Sequence, residues 1–341
     1  MRRIWIPRHG GPEVLEVRTE ADPTPGEGEV RIAVRATGVN FADVLARMGL
    51  YPDAPPLPCV VGYEVAGVVD AVGPGVTGFA EGQRVVSITR FGGYADRVVA
   101  PAVQVQALPD SVPFDVAAGI PVNWLTAWIM LVHLGNVHEG ERVLVHAAAG
   151  GVGQAAVQIA KWRKAEIIGT ASAGKHERLR EAGVAHCIDY RTQDFEQEVQ
   201  RITGGRGVHV ALDAVGGASL AKSYRCLAPM GRVFAFGVSS FASGRTRFSS
   251  VFSALSGLWA MPTFRPIPMM NANRGVHGIN LGHLWDEQER VGAMLREILG
   301  LVADGTFAPV LDRTYGFDEA AQAHERLQAR ENFGKVVLVT E

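Results

Sequence analysis

The sequence predicts an α/β protein in which a doubly wound parallel sheet of six strands follows a separate β-rich domain. Residues 1–120 consist mainly of short β-rich runs separated by glycine turns. Residues 123–282 instead alternate short apolar strands with helices, as βαβ units do. The first of these strands, Val143–Val145, leads through the small-residue turn Ala147–Gly153 into a helix. Strand, tight glycine turn and helix in that order predict the opening of a dinucleotide-binding βαβ unit.

The composition favours two globular domains. The chain has 341 residues, of which 47% are hydrophobic and 20% are charged, so it can bury substantial cores. A formal net charge of −2 gives no reason to expect nucleic acid or an anionic membrane as a partner. Cys59, Cys187 and Cys226 are few and far apart, which indicates a reducing compartment, and we expect the cytoplasm. The most apolar stretch, Val116–Val132, is too short and too broken for a membrane span.

The elements of the first 120 residues follow from periodicity and capping. Apolar and polar residues alternate over Val30–Ala36, which predicts a half-buried strand. Val60–Val72 and Arg84–Ile88 are further β-rich runs. One helix is predicted at Phe41–Met48, with Asn40 as its N-cap.

The second region contains the predicted parallel sheet. Its six strands are predicted at Val143–Val145, Glu166–Thr170, His186–Ile188, Val208–Asp213, Arg232–Phe236 and Val276–Asn280. Helices are predicted around Trp124–Leu134 and at Lys175–Ala182, Phe195–Ile202 and Ser219–Leu227. Six strands with helical crossovers are the number expected of a full doubly wound sheet. The connection 239–273 is too long for a structureless loop, so we expect one or two helices there.

The last sixty residues predict two helices, Glu287–Ala303 and Asp318–Ala329, and a closing strand, Lys335–Val339. The edge of the N-terminal β domain could accept that strand. We therefore predict a discontinuous first domain of residues 1–122 and 283–341, and a nucleotide-binding domain of residues 123–282.

The glycines of the turn have separate predicted roles. Gly150 would let the backbone approach a pyrophosphate, and Gly153 would let the helix pack closely on the strand. The helix N-terminus would point its free N–H groups at the phosphates. Ala148 stands at the first place of the six-residue fingerprint, and Gly151 adds a third glycine. A glycine turn that binds no ligand is the alternative at this stage.

Motifs spaced along the whole chain add a family resemblance. They include GVNFADVLARMGLYP (38–52), VVGYEVAGVVDAVGPGV (60–76), AAAGGVG (147–153) and NFGKVVL (332–338). The chain resembles the zinc-free medium-chain dehydrogenase/reductases and, among these, the quinone oxidoreductases, closest to the vesicle amine transport protein-like branch. This resemblance implies a GroES-like β domain and a Rossmann domain with the active site between them.

The resemblance also bears on zinc. Zinc-dependent members of the superfamily carry metal-binding Cys and His where this chain has Asn40 and Tyr63, and their four-Cys structural lobe is missing here. Neither Asn nor Tyr is a usual zinc ligand. We therefore expect no metal, and hydride delivery to an acceptor that needs none, such as a quinone or an activated alkene.

Charge at the end of the second predicted strand indicates the cofactor. NAD-binding chains usually place a carboxylate there, whereas this chain has Gly169–Ala173 followed by Lys175. A cation at a helix start is disfavoured by roughly 0.3–1 kcal/mol, and a bound 2′-phosphate would reverse that penalty. We therefore expect NADPH, with Ser172 as a further hydrogen-bond donor. A merely solvated Lys175 is the alternative.

The remaining candidate cofactor contacts combine the turn with positions implied by the resemblance. Tyr190 is implied to pack over the adenosine phosphate. The full set is Ala149, Gly150, Gly151, Val152, Gly153, Ser172, Lys175, Tyr190, Phe236, Gly237, Val238, Asn280 and Asn332. Turn and cap roles are the alternative for those after the fifth and sixth strands and for Asn332.

Four residues are candidates for catalysis. The resemblance implies that Asn40 and Tyr63 point at the acceptor, where negative charge develops on oxygen and needs donors. Tyr51 is a candidate donor, and Thr126 would pack against the nicotinamide. The alternative roles are a helix cap for Asn40, a core ring for Tyr63, a turn aromatic for Tyr51 and a buried helix hydroxyl for Thr126. Because an unperturbed Tyr has a pKa near 10, water is an alternative proton source. His146, Glu64 and Asp213 are interpreted as structural.

The expected function is NADPH-dependent reduction of quinones or α,β-unsaturated carbonyls, with one-electron and two-electron reduction both open. The alternative is a weakly active, membrane-associated or scaffolding protein, for which the apolar insert Phe248–Met270 would be responsible. A zinc alcohol dehydrogenase would require stoichiometric zinc. An exposed edge at the last predicted strand of the parallel sheet predicts a homodimer, as the resemblance also implies.

Overall fold

The computed structural model describes residues 1–239 and 259–340. Contacts divide the chain into two compact units. The first unit comprises Met1–Leu125 and Leu281–Glu341, and the second comprises Thr126–Asn280. Among the residues that the structure describes, no helix is long and apolar enough to cross a membrane.

The N-terminal part of the chain is mainly β. Its strands are β1 Arg2–Trp5, β2 Glu16–Thr19, β3 Glu29–Val39, β4 Glu64–Val72, β5 Arg84–Ile88, β6 Arg97–Pro101 and β7 Val105–Ala107. Its helices are α1 Phe41–Met48, α2 Phe114–Ala117 and α3 Pro121–Trp128, followed by a π-helical turn at Ile129–His133. Alternation explains β3, in which Val30, Ile32 and Val34 are buried while the residues between them are partly exposed.

The second unit alternates strands with helices. Its strands are β8 Arg142–Val145, β9 Glu166–Ala171, β10 His186–Asp189, β11 Val208–Asp213, β12 Leu227–Ala235 and β13 Gly275–Gly278. Its helices are α4 Gly151–Trp162, α5 His176–Ala182, α6 Phe195–Thr203, α7 Ala218–Arg225 and α8 Pro266–Ala272. The strands pair in parallel in the order β10-β9-β8-β11-β12-β13, so the predicted six-stranded doubly wound sheet is confirmed.

The C-terminal residues return to the first unit as α9 Gln288–Ala303, β14 Leu311–Gly316, α10 Ala320–Gln328 and β15 Lys335–Val339. In the described residues the larger sheet of this unit has the order β14-β15-β3-β4-β5-β7, with β6 also paired to β3. β15 runs antiparallel to β3, with Val336 opposite Val39 and Leu338 opposite Thr37. The last strand of the chain therefore lies beside the segment that leads into α1.

Single 3-10 turns accompany these elements at Pro12–Val14, Ala102–Gln104, Ala173–Lys175, Leu281–His283, Trp285–Glu287 and Phe317–Glu319. α1, β5, β11 and β15 have the predicted bounds. Of the connection 239–273, α8 is described, whereas residues 240–258 lie outside the described residues.

Two strands depart from the predicted bounds for local reasons. β4 begins at Glu64 rather than Val60, because Gly62 has a φ of 104°. The backbone of Cys59 bonds to Ile6, and the carbonyls of residues 60–62 accept from the N–H groups of residues 92–94. β12 begins at Leu227, five residues before the prediction. A register shift between the pairs of Val208 and Val210 accommodates Met230, whose φ is 64°. The sequence predicts no element at residues 228–231.

Met230 offers a test of this irregularity. Its side chain is 85% exposed, so Met230→Gly should lose little packing. Glycine should raise the free energy of unfolding by roughly 0.5–1 kcal/mol, because left-handed backbone penalises a residue with a Cβ. Met230→Ala, which shortens the side chain but keeps the Cβ, is the matched control. In urea unfolding, Met230→Gly should have a higher free energy of unfolding than the parent and Met230→Ala. Equal stability of the two variants would contradict the left-handed backbone at residue 230.

Candidate functional site

The glycine turn connects β8 to α4 at the carboxyl edge of the parallel sheet. Gly150 is the N-cap of α4, and its N–H donates to the Ala147 carbonyl at 2.8 Å. A Cβ on Gly153 would collide with the Ala147 carbonyl oxygen and lie 2.7 Å from the Ala148 Cα. A Cβ on Gly150 would meet only the Ala147 oxygen, at 3.3 Å. Gly153 is thus needed for packing, whereas Gly150 borders open space at the N-terminus of a twelve-residue helix.

The neighbouring edge of the sheet is held by two buried polar residues. Asp213, at the end of β11, accepts hydrogen bonds from the Gly216 N–H at 2.8 Å and the Ser223 hydroxyl at 2.6 Å. His146 bridges the Thr170 and Ser223 hydroxyls at 3.1 and 3.0 Å, and burial lowers the pKa of its imidazole. Both side chains fix the turns where the strand order reverses, between β8 and β11, which is where ligands bind in such sheets.

The next strand ends give the second group of predicted residues. Ala171 pairs with Asp189, so Ser172 and Tyr190 follow two neighbouring strand ends. Asp189 uses its carboxylate within its own turn, where it accepts from the Arg191 N–H at 3.0 Å. Tyr190 is 40% exposed. Lys175 ends a 3-10 turn directly before α5.

The remaining predicted cofactor residues divide between the two units. Gly237 follows β12, and a Cβ there would lie 2.8 Å from the Ala214 carbonyl oxygen. Phe236 and Val238 flank it, and Asn280 follows β13 at the same edge of the sheet. Asn332 lies in the first unit instead, buried, with its amide donating to the Gly334 carbonyl at 2.9 Å. Thr126 is a buried residue of α3.

The first unit contains a buried polar cluster around Asn40, the N-cap residue of α1. The Asn40 amide nitrogen donates to Glu64 Oε1 at 2.9 Å, and its oxygen accepts from Lys335 Nζ at 2.6 Å. Lys335 Nζ also lies 2.6 Å from Glu64 Oε1. The other carboxylate oxygen of Glu64 accepts from the Val122 N–H at 2.7 Å. The two predicted roles of Asn40 are a helix cap and a donor to the acceptor. It is the N-cap residue of α1, and its side-chain amide bonds to this ion pair.

Asp43 holds together the two segments that carry Asn40 and Tyr63. Its carboxylate accepts from the backbone N–H groups of Asn40 at 2.8 Å and Gly62 at 3.2 Å. It also accepts from the Tyr94 hydroxyl at 3.2 Å, and that hydroxyl lies 3.0 Å from His324 Nε2. Burial raises the pKa of Asp43 to about 7, although these hydrogen bonds and Lys335 oppose the rise.

Tyr63 presents a buried hydroxyl beside this cluster. Its ring packs edge-on against Tyr51, with centroids 6.3 Å apart, and lies 5.2 Å from the Phe91 ring. Within the described part of the chain the Tyr63 hydroxyl has no hydrogen-bond partner. Tyr51 and Tyr63 influence each other's pKa, yet their hydroxyls do not meet in good hydrogen-bond geometry. Burial, and after it the Asp43 charge, raises the pKa of Tyr63, so it stays a neutral donor.

The cluster does not fit zinc. Its members are an amide, a carboxylate and an ammonium group that is bonded to both of the others. A metal cation would compete with the Lys335 charge for the same oxygens. No group of three or more His, Cys, Asp or Glu residues suited to a metal occurs in residues 1–239 and 259–340.

Sequence reasoning missed two members of this cluster. Lys335 was treated only as the first residue of the closing strand, and Glu64 as a structural residue. The available signals were a lysine at the start of an apolar strand and a glutamate within the apolar run Val60–Val72, since charged residues are rarely buried without a partner. Neither signal indicates which residue elsewhere in the chain is the partner.

Two family models match the chain. The alcohol dehydrogenase GroES-like domain matches residues 26–110, and the zinc-binding dehydrogenase model matches residues 182–338.

Individual proteins match over nearly the whole chain. The synaptic vesicle membrane protein VAT-1 homolog of Homo sapiens is 40% identical over 326 residues, or 95% of this chain and 82% of that protein. A quinone oxidoreductase of Pseudomonas aeruginosa is 37% identical over 340 residues, or 99% of each chain. The structure of Escherichia coli quinone oxidoreductase complexed with NADPH gives a TM-score of 0.87 at 32% identity, covering 99% of this chain and 100% of that one.

The raised pKa of Asp43 predicts that the stability of the protein depends on pH. The pKa of Asp43 is about 7 in the folded protein against an ordinary value of 3.8, so the folded state binds this proton more tightly. The contribution of this carboxyl to the free energy of unfolding is therefore fully present below about pH 4. It declines as the pH rises toward 7, by at most about 1.4 kcal/mol per pH unit.

Asp43→Asn should remove that slope while destabilising the protein at every pH. Thermal unfolding of both proteins at pH 5, 6, 7 and 8 should show a stability difference that narrows toward pH 7 and is constant above it. Asp22→Asn, at an exposed carboxyl of the same unit, is the control for losing one charge. Parallel curves for the parent and Asp43→Asn would contradict the raised pKa.

Proposed function

The chain belongs to the quinone oxidoreductase family of the medium-chain dehydrogenase/reductases, near its VAT-1 branch, and from this membership we propose the reaction that it catalyses. The family resemblance found in the motifs is confirmed, and the chain is an oxidoreductase. We propose that it transfers hydride from NADPH to a quinone or an α,β-unsaturated carbonyl without zinc.

The glycine turn is the observation that carries the proposal. Gly150 borders open space where the N–H groups of α4 begin, and Gly153 permits the close packing that aims them. Residues Ala149–Gly153 would therefore hold the pyrophosphate, since the helix dipole and free N–H groups favour an anion. When bound, NADPH supplies the hydride.

A phosphate on the adenosine ribose fits the end of β9. No carboxylate lies between Gly169 and Lys175 to bind unmodified ribose hydroxyls. Ser172 and Lys175 would bind the 2′-phosphate, and the exposed Tyr190 ring would cover the adenosine. The NADPH in the Escherichia coli relative supports this choice of cofactor. We assign Phe236–Val238, Asn280 and Asn332 as further contacts of the cofactor, and Thr126 as a contact of the nicotinamide.

The first unit would bind the acceptor through neutral donors. The Tyr63 hydroxyl is buried and unpartnered in the described residues, and a substrate carbonyl oxygen would give it a partner. Tyr51, whose ring packs against Tyr63, and Asn40 are further candidate donors. Donors in a dry site stabilise the negative charge that follows hydride arrival. Because the pKa of Tyr63 is raised, we assign the final proton to water rather than to this phenol.

Cofactor choice can be tested by charge reversal. Lys175→Asp should lower the ratio of kcat/KM for NADPH to that for NADH by roughly 10–100-fold, which corresponds to one charge-assisted hydrogen bond. Lys164→Asp makes the same charge change on the exposed connection between α4 and β9. Steady-state oxidation should be followed with quinones, enones and alkenals as acceptors, with metal analysis of the same sample. An unchanged ratio for Lys175→Asp would refute the phosphate assignment, and stoichiometric zinc would refute the metal-free reaction.

The VAT-1 names and a group of exposed apolar residues favour a second candidate function, that of a weakly active membrane-associated protein. Trp259, Ile267 and Met270 are 92%, 71% and 72% exposed. They belong to the insert that would mediate membrane association in a weakly active protein. We propose instead that a second copy of the chain covers this region, alongside the edge of β13, which in the described residues pairs only with β12.

Sedimentation at micromolar concentration should therefore give twice the chain mass of 36.5 kDa. Trp259→Ser with Met270→Ser should shift the protein toward monomer, since both remove exposed apolar surface. Val103→Ser, at an exposed apolar residue of the first unit, is the control. A monomeric parent that floats with liposomes would favour the membrane function over the homodimer.

A further inference from the structure

The Asn40 side chain lies between two opposite charges. Its oxygen is 2.6 Å from the Lys335 ammonium, and its nitrogen is 2.9 Å from the Glu64 carboxylate. All three side chains are buried, with exposures of 7%, 5% and 0% for Asn40, Lys335 and Glu64. The second hydrogen of the amide has a distant acceptor in the chain, the Gly38 carbonyl at 3.5 Å.

Two glycines beside the cluster leave the space that the ion pair occupies. A Cβ on Gly38 would collide with Glu64 Oε1 and lie 2.7 Å from the Lys335 Cε. A Cβ on Gly119 would lie 3.0 Å from the Lys335 Cγ. Two glycines therefore make room for the ion pair, which β15 brings beside β3.

The charges determine which way the amide faces. An ammonium group can only donate, and a carboxylate can only accept, so the amide oxygen must face Lys335 and the nitrogen must face Glu64. A flipped amide would place its N–H groups against the ammonium and its oxygen against the carboxylate. The amide oxygen therefore accepts from the Lys335 ammonium. The group available to a ligand is the N–H whose acceptor in the chain is the distant Gly38 carbonyl.

We propose that Lys335 and Glu64 are positioning residues that make Asn40 a hydrogen-bond donor to the substrate, so that the site prefers carbonyl and quinone oxygens to hydroxyl groups. The identity of that oxygen rests on the function proposed above. The pair does not itself touch the substrate, and its two charges cancel. Its effect is to select an oxidised ligand, which accepts hydrogen bonds, over its reduced form, which also donates them.

The functional test compares a quinone with its hydroquinone. Each is titrated by calorimetry into the protein saturated with NADP⁺, and the ratio of the hydroquinone Kd to the quinone Kd measures the preference. We expect the parent to prefer the quinone, and Lys335→Met to reduce that preference about 10-fold. Lys164→Met, at an exposed lysine, should leave the ratio unchanged. An unchanged ratio in Lys335→Met would overturn the proposal.

Lys335→Met leaves Glu64 as a buried unpaired charge, which can prevent folding. The double variant Glu64→Gln with Lys335→Met removes both charges and should lose the preference in the same way. If it folds and retains the parental ratio, the pair does not orient Asn40.

A spectroscopic readout separates this proposal from the proposed function. In the 15N-labelled parent, the two Asn40 side-chain amide protons should be well separated in shift and slow to exchange, with assignment through Asn40→Ser. Both properties should be lost in the double variant. A parent that binds neither NADP⁺ nor quinone would refute the proposed function, and the amide signals alone would then decide whether the pair fixes Asn40. Identical signals in the parent and the double variant would overturn that assignment.

Discussion

The antiparallel pairing of β15 with β3 is the constraint on which the site of the first unit depends. It brings Lys335 against Asn40 and Glu64, residues separated from it by 295 and 271 positions in the chain. A buried ion pair of this kind often adds little net stability, because both charges lose their hydration, but removing one partner is strongly destabilising. The closing strand and the polar cluster therefore depend on each other. The strand positions the ammonium, and the uncompensated Glu64 charge would penalise a fold without the strand.

A second buried network, centred on Asp43, fixes the backbone that carries Asn40. Asp43 fixes two backbone segments, and Tyr94 connects it to His324. Burial lowers the pKa of His324 far below its usual range, so the imidazole is neutral. Its Nδ1 is without a partner in the described residues, which fits a tautomer that carries its proton on Nε2 and donates it to Tyr94. The Tyr94 hydrogen is then free to point at Asp43. The network thus has one consistent direction of donation, ending on the carboxylate that holds Asn40 and Gly62.

Local patterns predicted the elements well where the backbone is regular. α1 has the predicted bounds because Asn40 and Gly49, whose φ is 74°, end it on each side. The glycine turn and the strand ends of the second unit could be found because each lies next to its own strand. The cluster of the first unit could not be assembled in this way. Periodicity places Glu64 and Lys335 on buried strands, but it carries no information on strand order, and the pairing of residues nearly 300 apart depends on that order. The left-handed backbone at Met230 could not be predicted either, because methionine rarely adopts that conformation.

The sites proposed in the two units differ in their chemistry. The second unit offers helix N–H groups and Lys175 at a sheet edge, which suit a large polyanionic cofactor. The acceptor site proposed in the first unit would contain neutral groups and an ion pair whose charges cancel. A charged residue facing the acceptor would stabilise one charge state in both ground and transition states, and uniform binding of that kind does not speed the chemical step. Neutral donors such as Tyr63 and Asn40 bind a carbonyl weakly and an oxyanion strongly, so their effect is concentrated where the charge develops.

Lys335 can influence the substrate only by orienting Asn40, because the Glu64 carboxylate, 2.6 Å away, neutralises the charge of its ammonium group. The internal salt bridge is then best understood as a means of orienting a dipole rather than as a source of charge for the substrate.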